Sequence, residues 1–395
     1  MEAWIHDWLS LLLRWAHFIT GVAWIGASFY FNWLENHLER RNAAGGIAGD
    51  LWAVHGGGFY HLEKYEVAPG SLPPALHWFK YEAYFTWITG FALLCTLYYW
   101  NAGAFLVDRS VVALAGWQAI GIGLASMILS WLFYDLLCRS PLRRHGSLLA
   151  LLVFAWFTAL AWLLGECLSG RAAYIHVGAA IGTIMVANVF FVIIPAQKEL
   201  VSAVGESRMP RGEGGRNALM RSRHNNYFTL PVLFIMISNH YAGIYAHPRN
   251  WLLLVGISIA GVGIRHWFNI RHRPGHGRWA LPLSLLLLAG LALLTRPQPL
   301  PMEAGDAALP STAAVMPLIE KHCLGCHADR PEHPGFAAAP LGIALDTEQR
   351  LEANAARVYQ STVVTRIMPL GNLTGMTGEE RELLARWAAG LGQPQ

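Results

Sequence analysis

The chain has 395 residues, of which 54% are hydrophobic and only 14% charged, and it contains 17 Trp. That is too apolar for a soluble globular protein, and a formal net charge of +4 with no basic stripe gives no nucleic-acid footprint. The charge is divided: residues 1–298 carry a net +8 and residues 299–395 a net −4. A basic, membrane-like part is therefore expected to precede an acidic tail.

A bilayer span as helix needs roughly 18–20 predominantly apolar residues. Eight segments meet that need, near 8–34, 78–100, 111–137, 147–167, 174–196, 228–246, 251–270 and 279–295. The N-terminus lacks a basic leader, and its apolar run continues as a full span, so no cleaved signal peptide is expected. The predicted fold is all-α, a polytopic membrane bundle of about eight spans with a small C-terminal helical domain.

The first span carries a stripe. Arg14, His17, Gly21, Trp24, Ser28 and Phe31 alternate three and four apart, which puts them on one helix face, and Glu35 continues it. Ionisable groups within a span face the bundle interior or a cavity. His176 near the start of the fifth span and His240 near the end of the sixth lie at a similar depth to His17. Three such imidazoles either ligate a b-type haem between helices, line a substrate cavity, or are separately packed. Glu82 and Asp135 near the opposite side serve a proton path, substrate access or simple interfacial placement.

His55-Gly56-Gly57-Gly58-Phe59-Tyr60-His61 resembles the oxyanion loop of hydrolases, but no G-x-S-x-G elbow exists in the chain, so a flexible or ligand-contacting loop is expected. The polar run Arg221–His224 with Asn225 and Asn226 reads as a solvated basic flank of the sixth span. Loop charge sets the orientation. Seventeen Arg and Lys fall in the loops after the first, third, fifth and seventh spans, against four on the other side. The positive-inside rule puts the basic side in the cytoplasm and both termini outside.

Pro297-Gln298-Pro299-Leu300-Pro301 opens a stiff linker, placed at 299–311 between a membrane domain, 1–298, and a tail domain, 312–395. In that tail Cys323-Leu324-Gly325-Cys326-His327 is the C-x-x-C-H attachment motif of a c-type haem. The two thiols become thioethers and His327 the proximal iron ligand. Met368, fixed by Pro369, supplies the sixth ligand, with Met376 as its competitor. A short helix, Ala313–Lys321, is expected to enter the motif, and another, Glu379–Ala389, to close the domain with Leu383, Leu384 and Trp387 on one face. His322 and His333 are expected at the surface. Haem c is attached on the outer face of bacterial inner membranes, the side that loop charge assigns to the tail. The predicted location is thus a multi-pass bacterial inner membrane protein with its cytochrome domain in the periplasm. Cys95, Cys138 and Cys167 read as buried bystanders.

Several strings together carry a resemblance: Trp15-Ala16-His17-Phe18 with Trp24-Ile25-Gly26-Ala27-Ser28-Phe29-Tyr30, Val54-His55-Gly56-Gly57-Gly58-Phe59-Tyr60, Leu76-His77-Trp78-Phe79-Lys80, Ser238-Asn239-His240-Tyr241, and the haem motif with Met368-Pro369-Leu370-Gly371-Asn372. Over nearly its whole length the chain resembles the bacterial membrane-bound urate oxidase (urate hydroxylase) family. The opening His-x6-Trp-x-Gly pattern is also similar to haem-binding membrane proteins of the protoporphyrinogen-oxidising kind, which keeps haem b open. The resemblance implies oxidation of urate to 5-hydroxyisourate, with electrons leaving through haem c to a terminal oxidase or soluble cytochrome c. Arg14, His17, Trp24 and Asn239 are the residues expected to form the catalytic site in the lipid-embedded part. A quinol-oxidising membrane domain feeding haem c is the competing reading.

Overall fold

The computed structural model describes residues 2–40, 46–210, 212–272, 277–296, 309–333, 336 and 338–391. It is mostly helical. The first part runs α1 (Glu2–His37), β1 (Ile47–His55), β2 (Gly58–Tyr65), α2 (Tyr81–Leu94), α3 (Ala102–Phe105), α4 (Gly116–Arg139), α5 (Gly146–Gly165), α6 (Gly170–Ala187), α7 (Ile194–Gly205), α8 (Gly212–Ser238), α9 (Ala242–Tyr245), α10 (Asn250–Ile270) and α11 (Ala280–Leu294). The tail follows with α12 (Thr312–His322), α13 (Leu324–His327), α14 (Glu348–Ala353), α15 (Ala355–Tyr359) and α16 (Gly378–Gly390).

A helix occupies each of the eight apolar segments, with shifted bounds. Five stretches among the described residues are long and apolar enough to cross a membrane: Trp4–His37, Gly116–Arg139, Gly146–Gly165, Gly170–Gly205 and Asn250–Ile270. Helices suit such sequence because every backbone polar group is satisfied within the segment. The bundle is built around α6. Its apolar window is 56% buried, against 6% for that of α1, which lies at the rim. Tyr174, Val177, Ala180 and Ile181 of α6 sit in the main core cluster, and α4, α5 and α8 pack against them. Two π-helical turns interrupt the spans, Cys95–Tyr99 after α2 and Asn188–Ile193 after α6. Such turns often mark functional positions, because one extra residue per turn re-aims the side chains.

The glycine string is a β-hairpin, not a flexible loop. β1 pairs antiparallel with β2, with His55 opposite Gly58. Gly56 (φ 58°) and Gly57 (φ 82°) form the two-residue turn, and both need the left-handed region that glycine enters without steric cost. Lys64 of β2 ion-pairs with Glu35 at the end of α1, tying the hairpin to the bundle.

The tail has its own core, in which Val315, Ile319, Leu351, Leu384 and Trp387 are almost fully buried. Both expected tail helices are present, as α12 and α16. Ser311 and Thr377 cap them, and Thr377 forms a capping box with Glu380. His322 is a correction. It is buried, with Nδ1 2.7 Å from Thr374 Oγ1 and Nε2 3.3 Å from Glu380. The expected linker residues Pro297–Pro301 lie outside the described residues, as do Arg41, Arg211 and Arg273 of the basic loops.

Candidate active site

Arg14, His17, Gly21 and Trp24 of α1 face α2, α6 and α8 across a cavity of about 200 Å³. Thr86 and Gly90 of α2, Gly178 and Gly182 of α6, and Asn239 just beyond α8 complete its wall. The lower part of the stripe is used differently: Phe31 packs edge-on to Phe79, and Glu35 meets Arg40, Lys64 and Arg223.

His17 is held with one nitrogen committed. Its Nδ1 lies 3.0 Å from the Thr86 carbonyl and 3.2 Å from Thr89 Oγ1. A carbonyl only accepts, so Nδ1 carries the proton and Nε2 keeps its lone pair. No described residue partners Nε2. Gly90 makes room for the ring, since a Cβ there would lie 2.8 Å from His17 Cε1. Asn239 is fixed from the other side, because the Tyr98 hydroxyl donates to its Oδ1 at 2.9 Å. That leaves its amide NH2 free to donate. Trp24 contributes a flat apolar wall, and Arg14, exposed and donating to Ser10 at 3.2 Å, places a cation at the margin.

His176 and His240 do not join this cavity. His176 is fully buried; its Nδ1 donates to Ala172 O at 2.8 Å and its Nε2 accepts from Tyr99 at 3.0 Å. Gly123 is the floor beneath it, where a Cβ would lie 2.3 Å from Nε2. His240 is exposed at the end of α8. No group of three or more His, Cys, Asp or Glu among the described residues is placed to hold a metal ion. Among the described residues the three imidazoles are thus not gathered at one point: both His176 nitrogens are hydrogen-bonded and His240 is exposed.

A second polar centre was not legible as such. Arg221, assigned to a solvated flank, is completely buried. It donates to Asp135 Oδ1 at 2.7 Å and to Asn188 Oδ1 at 3.0 Å, and lies over the Tyr134 ring at 5.0 Å. Asn188 donates to Asn225 at 2.8 Å, and Asn226 accepts from Arg265 at 2.9 Å. Asp135 is therefore the counter-ion of a buried arginine rather than a free interfacial acid. Glu82 Oε2 is buried without a hydrogen-bond partner among the described residues. The missed signal was the Arg221/Asn225 spacing of four, which puts both on one α8 face toward Asn188 in mid-span.

In the tail, Cys323 and Cys326 are free thiols at the mouth of α13. Burial, with Cys326 alongside, pushes the Cys323 thiol up to about 12. His327 Nδ1 donates to Ile343 O at 2.9 Å, so Nε2 is the nitrogen left for a ligand bond, the usual arrangement of an iron-ligating imidazole. Met368 is half-buried, held by Ser361 O through its amide (3.0 Å) and by Arg381 through its carbonyl (2.8 Å). Met376 is instead committed to the tail core. Two thiols, an imidazole with one nitrogen left over and a half-buried methionine fit a covalent c-type haem.

The Urate oxidase N-terminal family matches residues 3–296. The chain belongs to this family. The family match takes in α1 to α11, and with them the whole cavity, and stops before the tail. No curated protein matches the chain, and neither does any solved structure. Membership gives the protein a urate-related role and an oxidoreductase character, in a chain whose long apolar helices are compatible with a membrane.

Proposed function

We propose that the protein is a membrane-bound urate oxidase of the bacterial inner membrane, converting urate to 5-hydroxyisourate in the α1/α2/α6/α8 cavity. The observation that carries this is the convergence of Arg14, His17, Trp24 and Asn239 on one small cavity within the urate-oxidase match. Urate is a planar anion near neutral pH. Trp24 offers a stacking face, the Asn239 amide a donor for a ring carbonyl, and Arg14 a cation that draws the anion in. His17 Nε2 is the proton acceptor, kept in the competent tautomer by Thr86.

The reaction balances as urate plus water giving 5-hydroxyisourate, two protons and two electrons. Water adds at a ring carbon, and His17 takes a proton. Residues 1–298 form the catalytic domain, 299–311 the linker and 312–395 a periplasmic cytochrome c domain. There Cys323, Cys326, His327 and Met368 are the residues that would hold a haem. Such a haem, when bound, accepts one electron at a time, and a terminal oxidase or soluble cytochrome c would take it onward. The positioning of the tail supports the outward assignment: it meets α3 and the loop after it and shares a cavity with residues 165–171 and 245–251, on the side poor in Arg and Lys.

Urate binding to purified protein tests the site. His17→Gln and Asn239→Leu are expected to lose urate turnover while retaining helix content; undiminished turnover in both would remove the cavity from the mechanism. Quinol oxidation is the second reading, favoured by an apolar cleft of about 560 Å³ lined by Phe157, His224, Tyr227 and Phe228.

A further inference from the structure

The tail is seated on the membrane part through the same loop that carries Met368. Ile367 packs against the main core cluster that contains Tyr98, Leu106 and Val107. The Arg109 amide donates to Gly371 O at 3.3 Å. Gly371 has φ 57°, and a Cβ on it would lie 2.6 Å from Val107 O and 3.3 Å from Ala104 O. The backbone approach is thus one that only glycine permits. Phe105 and Met368 line one cavity of about 560 Å³ at this seam.

Tyr98 reaches the other way. It lines the urate cavity, its hydroxyl bonds Asn239, and its ring meets Phe105 edge-on with centroids 6.5 Å apart. The π-helical turn Cys95–Tyr99 makes this possible. It directs Tyr98 to Asn239 and the adjacent Tyr99 to His176. Contacts therefore run from Asn239 through Tyr98 to Phe105, which borders the same cavity as the Met368 loop.

We propose that the Tyr98–Phe105 ring pair is the electron exit of the cavity, and that Ile367 and Gly371 dock the tail so that the Met368 loop receives it. The inference rests on the urate-oxidase reading above. Each urate gives two electrons and two protons. The protons leave through His17 and water, and the electrons cross the ring pair singly to a ferric c-type haem. Tyr98 and Phe105 form and break no bonds. Phe105 is a positioning residue on this path, since it touches neither substrate nor haem ligand.

The test uses the full-length haem-loaded protein. Phe105→Leu keeps apolar bulk and removes the ring, Phe105→Tyr keeps the ring, and Gly371→Val levers the loop from Val107. Three readouts are taken: urate affinity by equilibrium dialysis, hydrogen exchange of the Arg109 amide, and the rate at which anaerobic urate reduces the haem band. Phe105→Leu is expected to keep wild-type affinity and Arg109 protection but to slow reduction several-fold, with Phe105→Tyr restoring it. Gly371→Val is expected to lose Arg109 protection and slow reduction at unchanged affinity. Wild-type reduction rates in both Phe105→Leu and Gly371→Val would overturn the exit route while leaving the urate reading intact. Retained Arg109 protection in Gly371→Val would overturn the docking. A wild-type protein whose haem urate does not reduce would overturn the functional reading itself.

Discussion

His17 shows how a few ångströms set a chemical role. The Thr86 carbonyl accepts a hydrogen bond from Nδ1 and Gly90 leaves space for the ring, so Nε2 of this cavity-lining residue keeps its lone pair. Removing a general base costs on the order of 10²-fold or more in rate, and that is the loss expected for His17→Gln in a urate turnover assay. Gly90→Ala should approach the same loss without touching the imidazole chemistry, because its Cβ would meet His17 Cε1. Gly26→Ala, on open space, should be silent. Equal activity in the two glycine variants would show that the ring need not sit where it does. Glu380 gives a residue-scale test in the tail. Lys321 foremost, with the Thr377 amide and His322, lowers its carboxyl to about 2. A lowered carboxyl stabilises the fold above its ordinary pKa of about 4.5, and that contribution fades as pH falls through the window from 4.5 to 2. Tail unfolding followed against pH should show this loss in the wild type and not in Glu380→Gln.

Elements were legible where periodicity is strong. The eight apolar segments are helices because continuous apolar sequence can satisfy its backbone only internally, and Arg14, His17, Gly21 and Trp24 of the α1 stripe line a cavity because their spacing of three and four puts them on one face. The hairpin was missed because three consecutive glycines read as flexibility, whereas two of them are the turn that joins Ala53 and Val54 to Tyr60 and Phe59. The buried Arg221 was missed for a different reason. Its partners Asp135 and Asn188 come from α4 and the α6 π turn, 86 and 33 residues away, and the Arg221/Asn225 spacing marks a shared face without naming such distant partners. Asp135→Asn should leave a buried guanidinium without its counter-ion, a loss of about 3–5 kcal/mol, read as a lower thermal midpoint in detergent. Little change would mean Arg221 finds water there. Likewise Gly123→Ala should cost about 1–3 kcal/mol by forcing its methyl against His176, with the bundle otherwise unchanged.

At the scale of the molecule, two parts with opposite charge meet at a loop that holds a candidate iron ligand. The family match ends at 296, yet Ile367 and Gly371 of the tail are built into contacts with α3 and its following loop. The C-x-x-C-H motif was legible because its spacing is local; the seam was not, because it joins positions more than 250 residues apart. On the proposed reading, the cavity on one side of Tyr98 would hold urate and the Met368 loop beyond Phe105 would help hold a haem, so that electrons would move outward from substrate. The most direct measurement is an anaerobic urate titration of the purified haem-loaded protein, followed by reduced-minus-oxidised absorbance. A c-type band that grows by two haem equivalents per urate, with 5-hydroxyisourate formed, is the predicted result. An unchanged spectrum with urate, or reduction by quinol alone, would contradict it.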